Sequence, residues 1–267
     1  MSQNLGIIGC GKMANAIVKG LTTDKAGFAD ILVYDIDEEK LNKFSQLYGA
    51  KSTSLLEIVQ VCNIIILAVK PHQVKEVLEA ARDFWHEGQM LISIAAGIKI
   101  ATLEKITEDK IPVVRVMPNT PCLVGEGMAA VAAGSKAAER EVNMVIGLFN
   151  RLGKAIKIDE KYMDAVTAVS GSGPAYVFLV VEAFVNAAIN IGLDAVIARE
   201  LVSKTMLGSL QMLEKSGDHP AILRQDVSSP GGTTIAGIRK LEDNGLRKAF
   251  FDAVEMAYLR SIELSQE

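Results

Sequence analysis

The tripeptide Gly9-Cys10-Gly11 stands between the apolar run Leu5-Gly6-Ile7-Ile8 and a segment with helical spacing, Met13, Ile17, Val18 and Leu21. A strand, a glycine turn and a helix in that order commit the N-terminal stretch to one unit. Ala14 completes the pattern G-x-G-x-x-A. The first glycine permits a tight turn, the second lets the backbone approach a ligand, and the small Ala14 lets helix and strand pack closely. Unpaired N–H groups at the start of such a helix attract phosphate. The unit predicts a dinucleotide site on the Gly9-Cys10-Gly11 loop, with a plain glycine turn as the alternative.

The pattern continues with strands over 31–34, 64–68, 91–94, 113–117 and 128–132, helices over 38–48 and 137–152, and an edge strand over 155–158. Alternation of this kind predicts an α/β fold with a doubly wound, mostly parallel sheet. Past Lys161 the strand-like runs stop, and helices are expected over 163–169, 175–191, 195–215, 233–243 and 246–267. The chain thus divides into 1–160, dinucleotide-binding, and 161–267, helical. The helix over 175–191 is apolar nearly all round, through Val177, Phe178, Leu179, Val180, Val181, Ala183, Phe184 and Val185. It should be buried on every side, partly by a second subunit, giving a homodimer built on the C-terminal helices.

Composition excludes several classes of partner. With 49% hydrophobic residues, 22% charged and a net charge of -4, the 267-residue chain reads as globular and offers no basic face for nucleic acid. An acidic substrate must be held by local groups. Cys10, Cys62 and Cys122 lie far apart, which points to a reducing compartment. Cys10 reads as a small filler, and Cys62 as core. The aliphatic run 64–69 is too short to span a bilayer, and the chain begins on a strand rather than a leader. A cytoplasmic protein without a membrane span is expected. His72, His86 and His219 are scattered, so no metal site is expected.

Asp35 ends the second strand, 24 residues past Gly11. An acid there accepts ribose hydroxyls of NAD and repels the 2′-phosphate of NADP. Asp37 reads better as an acid of the following helix's first turn. Ala68-Val69-Lys70-Pro71, Ile94-Ala95-Ala96-Gly97 and Met117-Pro118-Asn119-Thr120-Pro121 each follow a strand, on the edge where dinucleotides lie. Ala68, Val69, Lys70, Pro71, Ile94, Ala95, Ala96 and Asn119 are therefore cofactor-binding candidates, with a solvated loop lysine at Lys70 and a stiff turn at 117–121 as the alternatives.

A second constellation is Val227-Ser228-Ser229-Pro230-Gly231-Gly232-Thr233-Thr234, just before a helix. Ser229, Gly231, Gly232, Thr233 and Thr234 put N–H groups and hydroxyls at a helix start, a cradle for a substrate carboxylate. An ordinary capped helix start is the alternative. Ser170-Gly171-Ser172-Gly173-Pro174-Ala175-Tyr176 is another glycine-rich helix start, with Pro174 suited to the first turn.

Taken together, 7–13, 68–71, 117–121, 170–176 and 227–234 resemble the pyrroline-5-carboxylate reductases along essentially the whole chain. The resemblance implies an enzyme with a Rossmann domain and a helical dimerisation domain, often in a larger ring of dimers. It implies reduction of 1-pyrroline-5-carboxylate to L-proline with NADPH or NADH, in proline biosynthesis. By motif, the carboxylate would lie on the N–H groups of Gly232 and Thr233 with Ser229 nearby, Thr234 would hydrogen-bond the ring nitrogen as the catalytic group, and Ile8, Gly9, Cys10, Gly11, Lys12 and Met13, with 68–71 and 94–96, would hold the dinucleotide. One departure stands out: a small polar residue is common in that family where this chain has Asp35, so NADH use, alone or beside NADPH, is expected. The β-hydroxyacid dehydrogenases share the two-domain plan but place an acid/base lysine where this chain has Val177, and forming an alcohol needs such a donor. A dinucleotide-sensing protein without turnover would not need 227–234.

Overall fold

The computed structural model describes residues 3–23 and 27–265. Its first part runs β1 (Gln3–Ile8), α1 (Lys12–Thr23), β2 (Phe28–Tyr34), α2 (Glu38–Tyr48), β3 (Lys51–Ser52), α3 (Leu55–Val61), β4 (Ile64–Leu67) and α4 (Val74–Ala80). It continues with β5 (Met90–Ser93), α5 (Ile100–Ile106), β6 (Val113–Pro118), β7 (Gly127–Ala133), α6 (Glu139–Asn150) and β8 (Gly153–Lys157). The described strands form one sheet in the order β3-β2-β1-β4-β5-β6-β7-β8, parallel throughout except between β6 and β7. The doubly wound sheet inferred from the alternation is present.

Hydrophobic burial explains the strands' composition. In β4, Ile64 and Ile66 join one buried cluster with Ile7, Val33 and Ile17. Ile65 and Leu67 join another with Ile8, Leu91 and Leu78 on the opposite face. A strand covered on both faces has no polar side to show, hence its unbroken aliphatic run. The chain runs outward from β1 through β2 to β3 and then returns to β4 on the other side of β1. That reversal opens the crevice where doubly wound sheets receive dinucleotides.

The short elements β3, α3, α4 and α5 were not read from the sequence. For α3 a signal existed: Ser54 and Glu57 have capping spacing, and the Glu57 N–H donates to Ser54 Oγ at 3.2 Å.

The remaining chain is helical: α7 (Met163–Val166), a π turn (Thr167–Gly171), α8 (Gly173–Asn190), α9 (Ala195–Ser216), α10 (Pro220–Asp226), α11 (Thr233–Asp243) and α12 (Leu246–Leu264). The helix expected over 163–169 therefore changes pitch after Val166. The Ser172 N–H donates five residues back to the Thr167 carbonyl at 2.8 Å, while the Asn119 amide takes the Ser170 carbonyl at 3.2 Å. Between α9 and α10 the chain turns at Gly217-Asp218-His219, after which Pro220 sits in the first turn of α10 and His219 Nδ1 accepts from the Ala221 N–H at 3.2 Å.

Packing divides the chain into two compact units. One runs through Ser172 and takes the chain back from Ala257; the other is Gly173–Met256. In the first, Met163 is fully buried with the sheet, and Asp164 accepts from Ser261 Oγ at 2.7 Å and Ser265 Oγ at 3.0 Å, pinning the end of α12. In the second unit, the chain by itself does not supply the burial expected of α8 with a second subunit. Rather than being buried on every side, α8 leaves Phe178 at 68% and Leu179 at 65% exposed, and among its residues Ala188 is buried. A single chain has too few helices to cover it. The run Glu160–Asn190 also has the length and apolarity of a membrane-crossing helix, with a mean hydropathy of 1.5. The expectation from 64–69 counted only unbroken aliphatic residues and passed over this longer helix.

Candidate functional site

The first loop is built by the sheet beneath it. Gly9 has φ +97, and its N–H donates to the Tyr34 carbonyl at 2.7 Å, tying the turn to β2. A Cβ on Gly9 would lie 2.8 Å from the Ala68 backbone carbonyl, so both conformation and space demand glycine. Gly11 differs: a Cβ there would meet nothing within 4 Å. No contact within the protein requires that glycine, and the open space lies at the start of α1, a helix N-terminus of the kind that attracts phosphate. Ala14 is fully buried, as close helix packing requires.

Cys10 is buried, and burial, then the Asp35 carboxylate, push its thiol up to about 12. It is a neutral packing residue, as is Cys62, whose thiol burial also raises to about 12. Asp35 faces this loop. Its Oδ2 accepts the Cys10 N–H at 2.7 Å, its Oδ1 accepts the Asp37 N–H at 3.0 Å, and Lys40 Nζ lies 3.7 Å from Oδ1. Sequence reasoning read this carboxylate as a ribose acceptor, with a helix N-terminal acid as the alternative; in the structure it holds the glycine turn in place. Asp37 caps α2 through the Glu39 N–H at 3.1 Å, and a hydrogen bond from Lys40 holds its carboxyl below the usual range.

Ladder bonds align the other loops with this one. The Ala68 N–H donates to the Ile8 carbonyl at 2.8 Å, and the Ile94 N–H donates to the Leu67 carbonyl at 3.0 Å. Ile8, Gly9, Ala68 and Ile94 thus share one sheet edge. Val69 is half-buried, and Lys70 and Pro71 are exposed just beyond; the Lys70 N–H is taken by Gln73 Oε1 at 3.2 Å. Ala95 is buried, whereas Ala96 is exposed. Lys12 is exposed on α1 and Met13 packs partly against the core.

Asn119 follows β6 on the same edge, but its side chain is committed. Its Nδ2 donates to the Ser170 carbonyl at 3.2 Å and hydroxyl at 3.3 Å, and its Oδ1 accepts the Met128 N–H at 2.9 Å. It acts as a brace between β6, β7 and the π turn. Gly171 belongs to this brace, since a Cβ on it would press on Met117 Cε at 2.6 Å. The sequence reading passed over Ile36, which stands 79% exposed immediately after Asp35. Its signal was a lone apolar residue among the acids of 35–39.

The second loop, 227–232, precedes α11. Gly231 has φ +68, and Gly232 is the N-cap residue with no side-chain capping bond. A Cβ on Gly232 would overlap Ser229 Oγ. The Gly232 N–H closes a turn on the Ser229 carbonyl at 3.1 Å, so within the chain it already has an acceptor. Among the described residues the N–H groups of Thr233 and Thr234 take no acceptor. Ser228 is spent on the Arg224 carbonyl at 2.6 Å, while Ser229, Thr233 and Thr234 are exposed in the chain. The hydroxyls around this helix start are thus not its caps, and an 11-residue helix presents its dipole unmasked. Among the described residues no cluster of His, Cys, Asp or Glu could hold a metal ion.

Comparison with known proteins decides what these two loops belong to. Residues 160–264 match the family model for pyrroline-5-carboxylate reductase dimerisation, and residues 4–97 match that for NADP oxidoreductase coenzyme F420-dependent. A pyrroline-5-carboxylate reductase of Pisum sativum is 38% identical over 99% of this chain and 97% of its own. The chain belongs to the pyrroline-5-carboxylate reductase family. A family member from Methanosarcina acetivorans is 39% identical over 100% of this chain and 99% of its own. Among solved reductases, that of Coxiella burnetii superposes with a TM-score of 0.91 at 34% identity, covering 99% of both chains. The Plasmodium falciparum enzyme, solved with NADP bound, superposes at 0.88 with 32% identity over 98% of both chains. The helices past Glu160 therefore match the family's dimerisation region, and the Gly9 loop lies in the oxidoreductase region that precedes it.

Proposed function

We propose that this chain reduces the imine of 1-pyrroline-5-carboxylate with NADPH or NADH, giving L-proline. The uncapped start of α11 carries the reading. It joins free N–H groups, a helix dipole and unspent hydroxyls, and holds no strong acid or base. That set suits a small carboxylated imine. Once protonated, the imine carbon is electrophilic, and the reaction then needs orientation more than acid–base power. We assign the carboxylate to the N–H groups of Thr233 and Thr234 and the hydroxyl of Ser229, with Gly231 and Gly232 keeping side chains out. Thr234 Oγ1 orients the ring nitrogen, and solvent supplies the proton.

The nicotinamide dinucleotide supplies the hydride when bound. Gly9 and Gly11 fit it: the first makes the turn, and the second leaves space that the protein does not use. Ile8 to Met13 and the loops at Ala68 to Pro71 and Ile94 to Ala96 hold it. Asp35 binds ribose, and Ile36 offers an apolar floor for the adenine. Asn119 shapes the loop wall rather than binding through its own amide.

We place the apolar faces of α8 and its neighbours in a homodimer, within a larger ring of dimers, rather than in a membrane. The three free, buried thiols accord with the reducing cytoplasm. The deciding experiment is loss of cofactor absorbance when the cyclic imine is added, with the six-membered analogue alongside. Oxidation of neither cofactor by the five-membered imine would overturn the proposal. Thr234→Ala should cut kcat/KM by about tenfold or more while cofactor affinity stays unchanged.

A further inference from the structure

We propose that Asp35, backed by Asp37, makes this chain choose the dinucleotide without a 2′-phosphate, so that NADH binds more tightly than NADPH. The inference rests on the dinucleotide reading above and deepens it.

Three observations converge on the end of β2. Asp35 is fixed: its carboxylate takes two backbone N–H groups, from Cys10 at 2.7 Å and Asp37 at 3.0 Å, and its side chain is 11% exposed. It cannot swing aside for a second anion without releasing the glycine turn. Each of its oxygens keeps a lone pair, so it can still accept from a ribose hydroxyl. Secondly, Asp35, Asp37, Glu38 and Glu39 follow one another closely in sequence, and among the described residues the cation paired with Asp35 and Asp37 is Lys40. Lys40 is already engaged, at 3.1 Å from Asp37 Oδ2 and 3.7 Å from Asp35 Oδ1. Lys12 on α1 is exposed and pairs with neither carboxylate among the described residues. Thirdly, 35–48 contains no arginine, the side chain whose planar fork best grips a phosphate. A 2′-phosphate at this position meets two carboxylates and a neutralised lysine, whereas a 2′-hydroxyl meets an acceptor.

Binding of each reduced cofactor to the full chain, followed by its fluorescence without imine at low and at physiological salt, tests this apart from turnover. NADH should bind at least about tenfold more tightly than NADPH, and the gap should narrow as salt screens the repulsion. Asp35→Asn keeps an acceptor for the Cys10 N–H and removes the charge; it should tighten NADPH severalfold and narrow the ratio. Asp37→Asn, which leaves a good helix cap, should shift the ratio the same way but less. Equal or tighter NADPH binding by the wild type overturns the inference and leaves the reductase reading standing. So does an unchanged ratio in both variants. Binding of neither cofactor overturns the dinucleotide reading and this inference with it.

Discussion

One methyl group distinguishes the two glycines of the first loop. On Gly9 it would strike the Ala68 backbone in a left-handed conformation; on Gly11 it would enter empty space. Gly9→Ala should therefore cost stability, about 1–3 kcal/mol from backbone strain alone, read by denaturant unfolding. Gly11→Ala should fold within about 0.5 kcal/mol of wild type, yet bind either dinucleotide about tenfold more weakly. Equal cofactor affinity in Gly11→Ala would remove the phosphate from that space. The positions of both glycines were legible in the sequence, and so was the acid at Asp35. What Asp35 does to its neighbours was not: the bond to the Cys10 N–H joins residues brought side by side only by the parallel pairing of β1 with β2. The same limit applies to the Gly232 N–H, whose turn on Ser229 depends on local dihedrals that composition leaves open.

Elements were legible in proportion to their length and periodicity. Apart from the two-residue β3, the strands of the sheet and the long helices announced themselves through apolar runs or stripes long enough to read. The seven-residue helices α3, α4, α5 and α10 span about two turns, too short for a period to emerge. The π turn was illegible for another reason, since Asn119, which takes the Ser170 carbonyl, is 51 residues away. The same long reach ties α12 to α7. Asp164 receives the hydroxyls of Ser261 and Ser265, and Ser261 is buried. Asp164→Ala leaves a buried hydroxyl without its acceptor and should cost roughly 1–3 kcal/mol. Hydrogen exchange should show the loss first in the last turns of α12. Unchanged protection there would mean that apolar packing alone holds this helix end.

At the scale of the whole molecule, the apolar composition of α8 predicted burial, but the chain alone does not supply it. Sequence composition reports the environment of the finished assembly, whereas the fold of one chain reports only its own contacts. On the proposed dimer, Leu179, 65% exposed in the chain, is buried against the partner subunit. Removing a leucine from water is worth about 1.5–3 kcal/mol. A two-fold interface repeats every side chain, so Leu179→Glu is felt twice, and its two carboxylates must also be desolvated. A loss of at least about 3 kcal/mol raises the dimer dissociation constant by about two orders of magnitude. Sedimentation equilibrium across a dilution series should show wild-type dimers, or multiples of them, at concentrations where Leu179→Glu has fallen apart. The melting temperature of the wild type should rise with protein concentration, because a partner that binds only the folded chain stabilises it by mass action. A wild type that sediments as a monomer with a concentration-independent melting temperature would return α8 to the alternative its length and apolarity allow, a helix covered by lipid.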